Sequence, residues 1–275
     1  MNILDKIIAH KKKEVAERKS LFPEKLLEKS IYFPTQSISM KKYLLREDRN
    51  GIIAEYKRQS PSKGLINDHA KVERTSIGYM QAGASALSIL TDTEFFGGSN
   101  DDLKTARKYN FCPILRKDFI IDEYQIIEAK SMGADCILLI AAALKPEDVK
   151  RLAVFAHKLG LEVLLEVHDG EELKAALCDD VDLVGVNNRD LKTFKVNIDT
   201  SIQLAREIPE GVVKVSESGI SDPLSLLMLR EHGYRGFLIG EHFMATHRPW
   251  EACRKFIQEI KNLEARRKGQ LQNAY

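Results

Sequence analysis

The amino-acid sequence predicts a (β/α)8 TIM barrel with an N-terminal helical extension, and three observations support this fold class. Short runs rich in Leu, Ile and Val recur eight times after residue 50, roughly 20 to 35 residues apart, which leaves room for one helix between successive strands. The runs are almost continuously apolar, as expected for parallel strands covered by helices. In addition, glycine ends four of the intervening helical stretches just before a strand, where it favours a left-handed turn.

The strands and helix ends can be assigned in chain order. The eight predicted strands are Ile52–Lys57, Ala86–Thr91, Pro113–Lys117, Cys136–Ala141, Glu162–Val167, Leu183–Asn187, Val212–Ser216 and Gly236–Gly240. The four helix-ending glycines are Gly83, Gly133, Gly160 and Gly233. A doubly wound open sheet is the competing fold, but it usually carries a GxGxxG turn after its first strand, and the sequence has no such motif.

Residues outside the repeat divide the chain into three parts. Residues 1–48 are predicted to form a helical extension packed on the barrel, residues 49–263 the barrel itself, and residues 264–275 a tail that frays because most of it lacks an apolar face. Within the extension, short helices are predicted at Pro23–Lys29 and near Met40–Arg46.

The first segment of the extension combines an apolar stripe with a basic run. The stripe consists of Ile3, Ile7, Ile8 and Val15, a spacing that indicates a helix packed along one side. The run Lys11–Lys13 is followed by Glu14 and Glu17, which favours a solvated helix face over a binding patch.

The composition excludes several classes of protein. A hydrophobic content of 44% supports a folded core, and a net charge of +2 gives no case for a nucleic-acid or membrane partner. No stretch reaches the ~18 apolar residues that a membrane span requires. Four cysteines without CxxC spacing indicate reduced thiols in a cytoplasmic protein, and neither the cysteines nor the histidines have the spacing of a metal site. We therefore expect no metal ion.

Charged residues are concentrated at the predicted strand ends, which is where barrels of this type build their sites. Glu55 and Lys57 are two residues apart on a strand and therefore share a face. A structural salt bridge would explain that pair equally well. The wider set, however, predicts several mutually shifted proton affinities at one barrel mouth. Its titratable members are Glu55, Lys57, Lys117, Glu166 and Glu217, and Asn187 ends strand six at the same mouth.

Glycines after the last two strands favour a phosphate site. Gly219 and Gly240 follow strands seven and eight, where this fold commonly binds phosphate, although tight turns alone would also use glycine. Phe95 and Phe96 after strand two suggest an apolar ligand wall, or alternatively a loop packed on itself. His168, just after strand five, is interpreted as structural.

The chain closely resembles the indole-3-glycerol-phosphate synthase family of tryptophan biosynthesis over nearly its whole length, from the extension through strand eight, and five motifs carry the resemblance. They are Ile53–Ser62 (IAEYKRQSPS), Pro113–Phe119 (PILRKDF), Leu165–Val167 (LEV), Val186–Leu191 (VNNRDL) and Ser216–Ile220 (SESGI). Family members convert 1-(2-carboxyphenylamino)-1-deoxyribulose 5-phosphate to indole-3-glycerol phosphate, releasing carbon dioxide and water. The resemblance thus implies a carboxy-lyase with a small phosphorylated substrate and no cofactor. We expect a monomer or weak homodimer.

The resemblance also implies roles for individual residues. Lys117 corresponds to the general acid for the sugar carbonyl and Glu166 to a principal acid/base group, with Glu55 and Lys57 assisting dehydration and holding the substrate. The positions that orient the anthranilate carboxylate or sugar hydroxyls are Asn187, Glu217 and Ser218. The phosphate side comprises Ser60, Arg189, Gly219, Gly240 and Glu241. The pocket for the aromatic ring comprises Pro61, Phe96, Phe119 and Leu138.

The sequence departs from the family pattern at two positions, and three rival functions are less well supported. Asn188 stands where Ser is common, and Glu241 where a small hydroxyl residue is common, which affects the expected phosphate affinity.

A phosphoribosylanthranilate isomerase would need only one acid and one base. A Schiff-base aldolase would use Lys117 as a nucleophile. A non-catalytic scaffold that binds a phosphometabolite would have no use for so many charges at strand ends.

Overall fold

The computed structural model describes residues 3–191 and 193–272, and its centre is a closed barrel of eight parallel strands. Each predicted strand is present, and each end lies at or next to the predicted residue, so the (β/α)8 prediction is confirmed. The strands are β1 Ile52–Tyr56, β2 Ala86–Leu90, β3 Ile114–Lys117, β4 Cys136–Ile140, β5 Glu162–Val167, β6 Leu183–Asn187, β7 Val213–Glu217 and β8 Gly236–Ile239. The barrel closes where β1 pairs with both β8 and β2.

Helices alternate with these strands and cover the barrel. They are α1 Ile3–Leu21, α2 Glu24–Leu27, α3 Met40–Leu44, α4 Val72–Ala82, α5 Asn100–Tyr109, α6 Glu123–Met132, α7 Pro146–Lys158, α8 Gly170–Ala176, α9 Asp199–Leu204, α10 Pro223–Glu231, α11 Glu241–Met244 and α12 Pro249–Gln272. A 3-10 turn spans Ala141–Ala143, and a short antiparallel pair joins Gln59–Ser60 to Gly64–Leu65. All four glycines predicted to end helices have positive φ angles, between 71° and 101°.

Alternation along the strands places the charged residues inside the barrel mouth. Ile53, Leu115 and Leu164 belong to the apolar cluster inside the barrel, whereas their neighbours Ile52 and Ile114 pack towards the helices. Residues two positions further along a strand project to the same side. Glu55, Lys117 and Glu166 therefore extend the interior rows of β1, β3 and β5 at the carboxyl ends of these strands.

One interpretation of the extension is wrong. Lys11 does not belong to a solvated face: it is fully buried, whereas Lys12 and Lys13 are exposed. The reason is helical spacing, because Lys11 lies four residues after Ile7 and four before Val15, and all three are the buried residues of α1. The Lys11 ammonium lies 2.9 Å from Asp92 and 3.0 Å from Asp118, which compensates its burial.

The chain end also differs from the expected fraying tail. Helix α12 continues past residue 264 to Gln272, and residues 273–275 lie outside the described part of the chain. Arg230 forms an ion pair with Glu264, and Arg267 lies 2.7 Å from Glu231, so contacts with α10 accompany this extra length.

Within residues 3–191 and 193–272, no helix combines the length and apolar character needed to span a membrane.

Candidate active site

A cavity of about 750 Å³ opens at the carboxyl ends of the strands. All of the site residues predicted from the sequence line this one cavity. They are Glu55, Lys57, Ser60, Pro61, Phe96, Lys117, Phe119, Leu138, Glu166, Asn187, Arg189, Glu217, Ser218, Gly219, Gly240 and Glu241. The structure therefore brings together residues as far apart in the chain as Glu55 and Glu241.

Lys117 lies at the centre of the charged wall. Its Nζ donates to Glu166 Oε2 at 2.9 Å and also contacts Glu217 Oε2. All three side chains are nearly buried, with exposed fractions of 13%, 7% and 2% for Lys117, Glu166 and Glu217. One ammonium group is thus shared by two carboxylates in a setting of low dielectric constant, where charge interactions are strong.

Burial and this sharing separate the proton affinities of the three groups. Burial would lower the pKa of Lys117, but Glu166, Glu217 and Glu55 together raise it above its ordinary value, so the lysine is an ammonium ion. Burial acts to raise the pKa of Glu166, yet Lys117 and His168 outweigh it and hold the pKa at about 2. For Glu217, burial and the negative charge of Glu166 prevail over Lys117 and raise the pKa to about 7. The arrangement supplies a proton donor, an ionised carboxylate and a carboxyl that titrates near neutrality.

Glu55 and Lys57 form the facing wall. Lys57 Nζ lies 2.8 Å from Glu55 Oε1, and Ser88 Oγ lies 3.3 Å from Glu55 Oε2. The pair is therefore a salt bridge and also part of the cavity lining, so the two interpretations of this segment are compatible. Gly240 makes room for it, because a Cβ atom at this position would lie 2.4 Å from Glu55 Oε1.

Two further contacts fix the orientation of the carboxylates. Asn187 Nδ2 donates to Glu166 Oε1 at 3.1 Å, opposite the oxygen that Lys117 holds. Gly185 leaves space for Glu217, since a Cβ atom there would lie 2.1 Å from Glu217 Oε1. Glu166 is consequently held through both of its oxygens, as a preorganised site requires, whereas Glu217 is held by Lys117 through Oε2.

The predicted phosphate side carries more charge than the sequence motifs suggest. Arg189 Nη2 lies 3.1 Å from Glu241 Oε2, and Lys63 Nζ lies 3.4 Å from Glu241 Oε1. The predicted site residues do not include Lys63. The signal that identifies it is the composition of its loop, in which a cation follows Ser60 and other residues that favour binding of an anion. Ser218 and Gly219 have φ angles of 66° and 77°, and a non-glycine residue with positive φ frequently marks a functional site.

The apolar side of the cavity includes residues of the extension that the sequence motifs did not identify. Phe96 and Phe119 contact each other with ring centroids 5.8 Å apart, which favours the ligand-wall interpretation of Phe96. Ile3, Leu4 and Ile7 of α1 also line the cavity. The apolar stripe of α1 is the signal that would have found them, but it indicated only packing against the barrel.

Neither metal-ligand geometry nor a disulfide was found in the described chain. Within residues 3–191 and 193–272, no group of three or more His, Cys, Asp or Glu side chains is arranged to hold a metal ion. The four cysteines are free thiols, and three of them are buried. The polar side chains that line the cavity are those of lysine, arginine and one histidine, His242, together with carboxyl, amide and hydroxyl side chains.

Comparisons with known proteins agree with this geometry. The model of the indole-3-glycerol phosphate synthase family matches residues 4–257. A protein of this name from Bacteroides thetaiotaomicron is 52% identical over 259 residues, covering 94% of this chain and 99% of the relative. The proteins of the same name from Bordetella pertussis and Salinibacter ruber are 43% and 41% identical, covering 90% and 98% of this chain and 96% and 100% of the relatives. The chain belongs to the indole-3-glycerol phosphate synthase family.

Proposed function

We propose that the chain closes the indole ring of indole-3-glycerol phosphate from 1-(2-carboxyphenylamino)-1-deoxyribulose 5-phosphate, at the mouth of the barrel. The observation that carries the proposal is the Lys117 ammonium shared by Glu166 and Glu217, in a cavity that also contains the Glu55–Lys57 pair. The cavity provides cations on one side and aromatic side chains on another, which suits a substrate with a phosphate at one end and an aryl ring at the other.

In the first step, the ring carbon that bears the carboxylate attacks the sugar carbonyl carbon, and negative charge develops on the carbonyl oxygen. Lys117 supplies a proton to that oxygen, which becomes a hydroxyl group. The lysine suits this role because its carboxylate neighbours keep it protonated until the oxyanion forms. The carbon–carboxylate bond then breaks, carbon dioxide leaves, and the bonding electrons restore the aromatic ring.

In the second step, the new hydroxyl group leaves as water while a proton is removed from the carbon beside the ring nitrogen. The resulting double bond completes the indole. Glu166 is the base in this proposal, because its pKa is lowered to about 2 and it is ionised when the substrate arrives. Lys57, which pairs with Glu55 on the opposite wall, gives the leaving hydroxyl group a proton so that it departs as water, and both side chains hold the sugar.

The remaining site residues position the substrate. Asn187, Glu217 and Ser218 orient the carboxylate or the sugar hydroxyls. The phosphate is bound by Ser60, Arg189, Gly219, Gly240 and the backbone at Glu241, together with Lys63. The aryl ring lies among Pro61, Phe96, Phe119 and Leu138. Support for the last assignment comes from the contact between the Phe96 and Phe119 rings, which presents an apolar surface within the cavity.

A Schiff-base mechanism is disfavoured by the charge on Lys117. An aldolase-type lysine must be neutral to attack a carbonyl, and such lysines have lowered pKa values. The pKa of Lys117 is raised instead. Treatment with borohydride in the presence of substrate should therefore leave the mass of the protein unchanged.

The proposal extends to the setting of the enzyme. We propose that it needs no metal or organic cofactor and acts in the cytoplasm, where its free cysteines remain reduced. We also propose a monomer or weak homodimer, and a division into the extension 1–48, the barrel 49–263 and the C-terminal segment 264–275. Light scattering after size-exclusion chromatography would test the oligomeric state.

The direct test is an assay of indole fluorescence with purified protein and the carboxyphenylamino-deoxyribulose phosphate, in the presence of a chelator. We expect one molecule of carbon dioxide for each indole formed. Folded protein that binds the substrate but forms neither product would contradict the proposed function.

A further inference from the structure

His168 occupies a place beside Glu166 that the proposed reaction does not yet use. It follows β5 and is nearly buried, with an exposed side-chain fraction of 12%. Its Nδ1 lies 3.1 Å from Glu172 Oε2, and its Nε2 lies 3.7 Å from Glu166 Oε1. His168 is not among the described residues that line the cavity.

The contact with Glu172 determines which ring nitrogen carries a proton. Glu172 Oε2 already accepts the backbone N–H of His168 at 2.7 Å, so this oxygen is an acceptor and Nδ1 must donate to it. The second nitrogen, Nε2, is buried and has no hydrogen-bond partner within residues 3–191 and 193–272. A neutral ring would therefore direct a lone pair at the Glu166 carboxylate, whereas an imidazolium ring directs an N–H at it.

We propose that His168 is a positioning residue that stands as an imidazolium between Glu172 and Glu166 and keeps Glu166 ionised during the reaction. This inference rests on the proposed role of Glu166 as the base. When Lys117 transfers its proton to the substrate oxygen, it loses its charge, and Glu166 loses its main cationic neighbour. His168 is the second cation that holds Glu166 ready to remove the later proton.

The surroundings of His168 favour the charged form. Burial lowers the pKa of the imidazole, but the hydrogen bond to Glu172 and the charges of Glu166 and Glu217 raise it above its ordinary value. Lys117, on the far side of Glu166, is the cation that opposes this effect until it gives up its proton. The carboxylates around the ring thus come from β5, α8 and β7.

The kinetic test compares kcat of the wild-type protein and His168→Gln between pH 6 and 9.5. Glutamine keeps the polar contacts but cannot become charged. We expect a wild-type to variant ratio of about 10 at low pH. Once Lys117 has given up its proton, burial acts to raise the pKa of Glu166, and an opposite charge at the separation of His168 lowers a carboxyl pKa by about one unit or more. The ratio should approach ~1 at high pH, where the wild-type imidazole also loses its charge. KM should change little, since His168 is outside the cavity lining.

Two further variants separate positioning from packing. His168→Asn should give the same pH-dependent ratio, which covers the case in which His168→Gln folds poorly. His157→Gln is the matched control, because His157 also lies beside two carboxylates, Asp180 and Asp182, but at the surface. Its ratio to the wild type should stay near ~1 at every pH. A ratio for the His168 variants that does not change with pH would overturn the proposal.

A spectroscopic titration tests the same contact without turnover. The imidazole signal of His168, identified by its loss in His168→Gln, should titrate above the ordinary value of ~6.5. In Glu166→Gln its midpoint should fall, because one of its carboxylate neighbours is gone. Equal midpoints in both proteins would also overturn the proposal. Failure of the wild type to form indole would instead count against the proposed function. The titration would then still test, on its own, whether His168 interacts with Glu166.

Discussion

Two buried lysines, Lys11 and Lys117, have similar partners but different surroundings. Lys11 lies between α1 and the ends of β2 and β3, where it contacts Asp92, Asp118 and Glu14. Lys117 precedes Asp118 in the chain, yet alternation turns its side chain into the barrel mouth, where it contacts Glu166 and Glu217. Both lysines have raised pKa values, so their own protonation does not distinguish them.

The carboxylates show the difference. Burial acts to raise the pKa of Asp118, but this group is shared by two cations, Lys11 and Arg116, and its pKa is held far below the ordinary value. At the barrel mouth the ratio of cations to carboxylates is reversed. Two carboxylates share the single cation Lys117, and the pKa of Glu217 is raised to about 7. A carboxylate with two cation partners, such as Asp118, stabilises the packing of α1 on the barrel, whereas two carboxylates that share one cation beside a cavity retain a proton that can be transferred.

The largest effect on stability is expected for Lys11→Met. The change leaves Asp92 and Asp118 buried without their shared cation, and breaking a buried pair in this way costs about 3–5 kcal/mol. Urea unfolding would measure the loss. The exposed neighbour Lys12 provides the control Lys12→Met, for which we expect a change within about 0.5 kcal/mol. Equal stability of the two variants would show that the Lys11 cluster does not anchor the extension.

A smaller effect is the pH dependence that Glu217 contributes to stability. In the folded protein its carboxyl keeps its proton up to about pH 7, whereas in the unfolded chain it loses the proton near the ordinary value of 4.5. Between these values the folded state binds more protons, so the free energy of unfolding falls as pH rises. Glu166 has the opposite effect, because its lowered pKa of about 2 makes the unfolded state bind more protons, but this contribution is confined to the acidic end of the range, near the ordinary value of 4.5.

Glu217→Gln should therefore flatten the decline in unfolding free energy between pH 5 and 7, as measured by urea unfolding at intervals across that range. The exposed residue Glu210 provides the control Glu210→Gln, which should retain the wild-type slope. An unchanged slope in Glu217→Gln would mean that this carboxyl is already ionised in the acidic range.

The smallest effect is expected at Glu241, on the phosphate side. Its carboxylate contacts both Arg189 and Lys63, so a bound phosphate must compete with it for these cations. Because these side chains are partly exposed, each contact contributes less than about 1 kcal/mol. Glu241→Ser should lower KM by a few-fold and leave kcat unchanged. A higher KM would show that Glu241 assists phosphate binding.

The sequence predicted most of the fold because its signals are local. Apolar runs such as Cys136–Ile140 and helix-ending glycines such as Gly133 need no knowledge of distant residues. The burial of Lys11 could not be predicted in this way, because its partners Asp92 and Asp118 become neighbours only when β2 and β3 pair.

The same distinction between local and long-range signals applies to the candidate site. Alternation on β1 accounts for the shared face of Glu55 and Lys57, and the family resemblance supplied most of the other predicted site residues, but neither identified Ile3, Leu4 and Ile7 as part of the cavity lining. The contact of His168 with Glu166 depends on the conformation of the turn after β5 and on Glu172 in the next helix. Periodicity does not determine that conformation, so the sequence indicated only a structural histidine.

The most direct test of the contrast between the two lysines is the single-turnover rate of indole formation by Lys117→Ala at saturating substrate. Loss of a general acid typically reduces the rate by about 10²- to 10⁴-fold. We predict a loss in this range with the substrate still bound, as judged by its protection of the variant against thermal unfolding. A rate within about threefold of the wild type would show that Lys117 is not the acid and that its cluster, like that of Lys11, serves the fold alone.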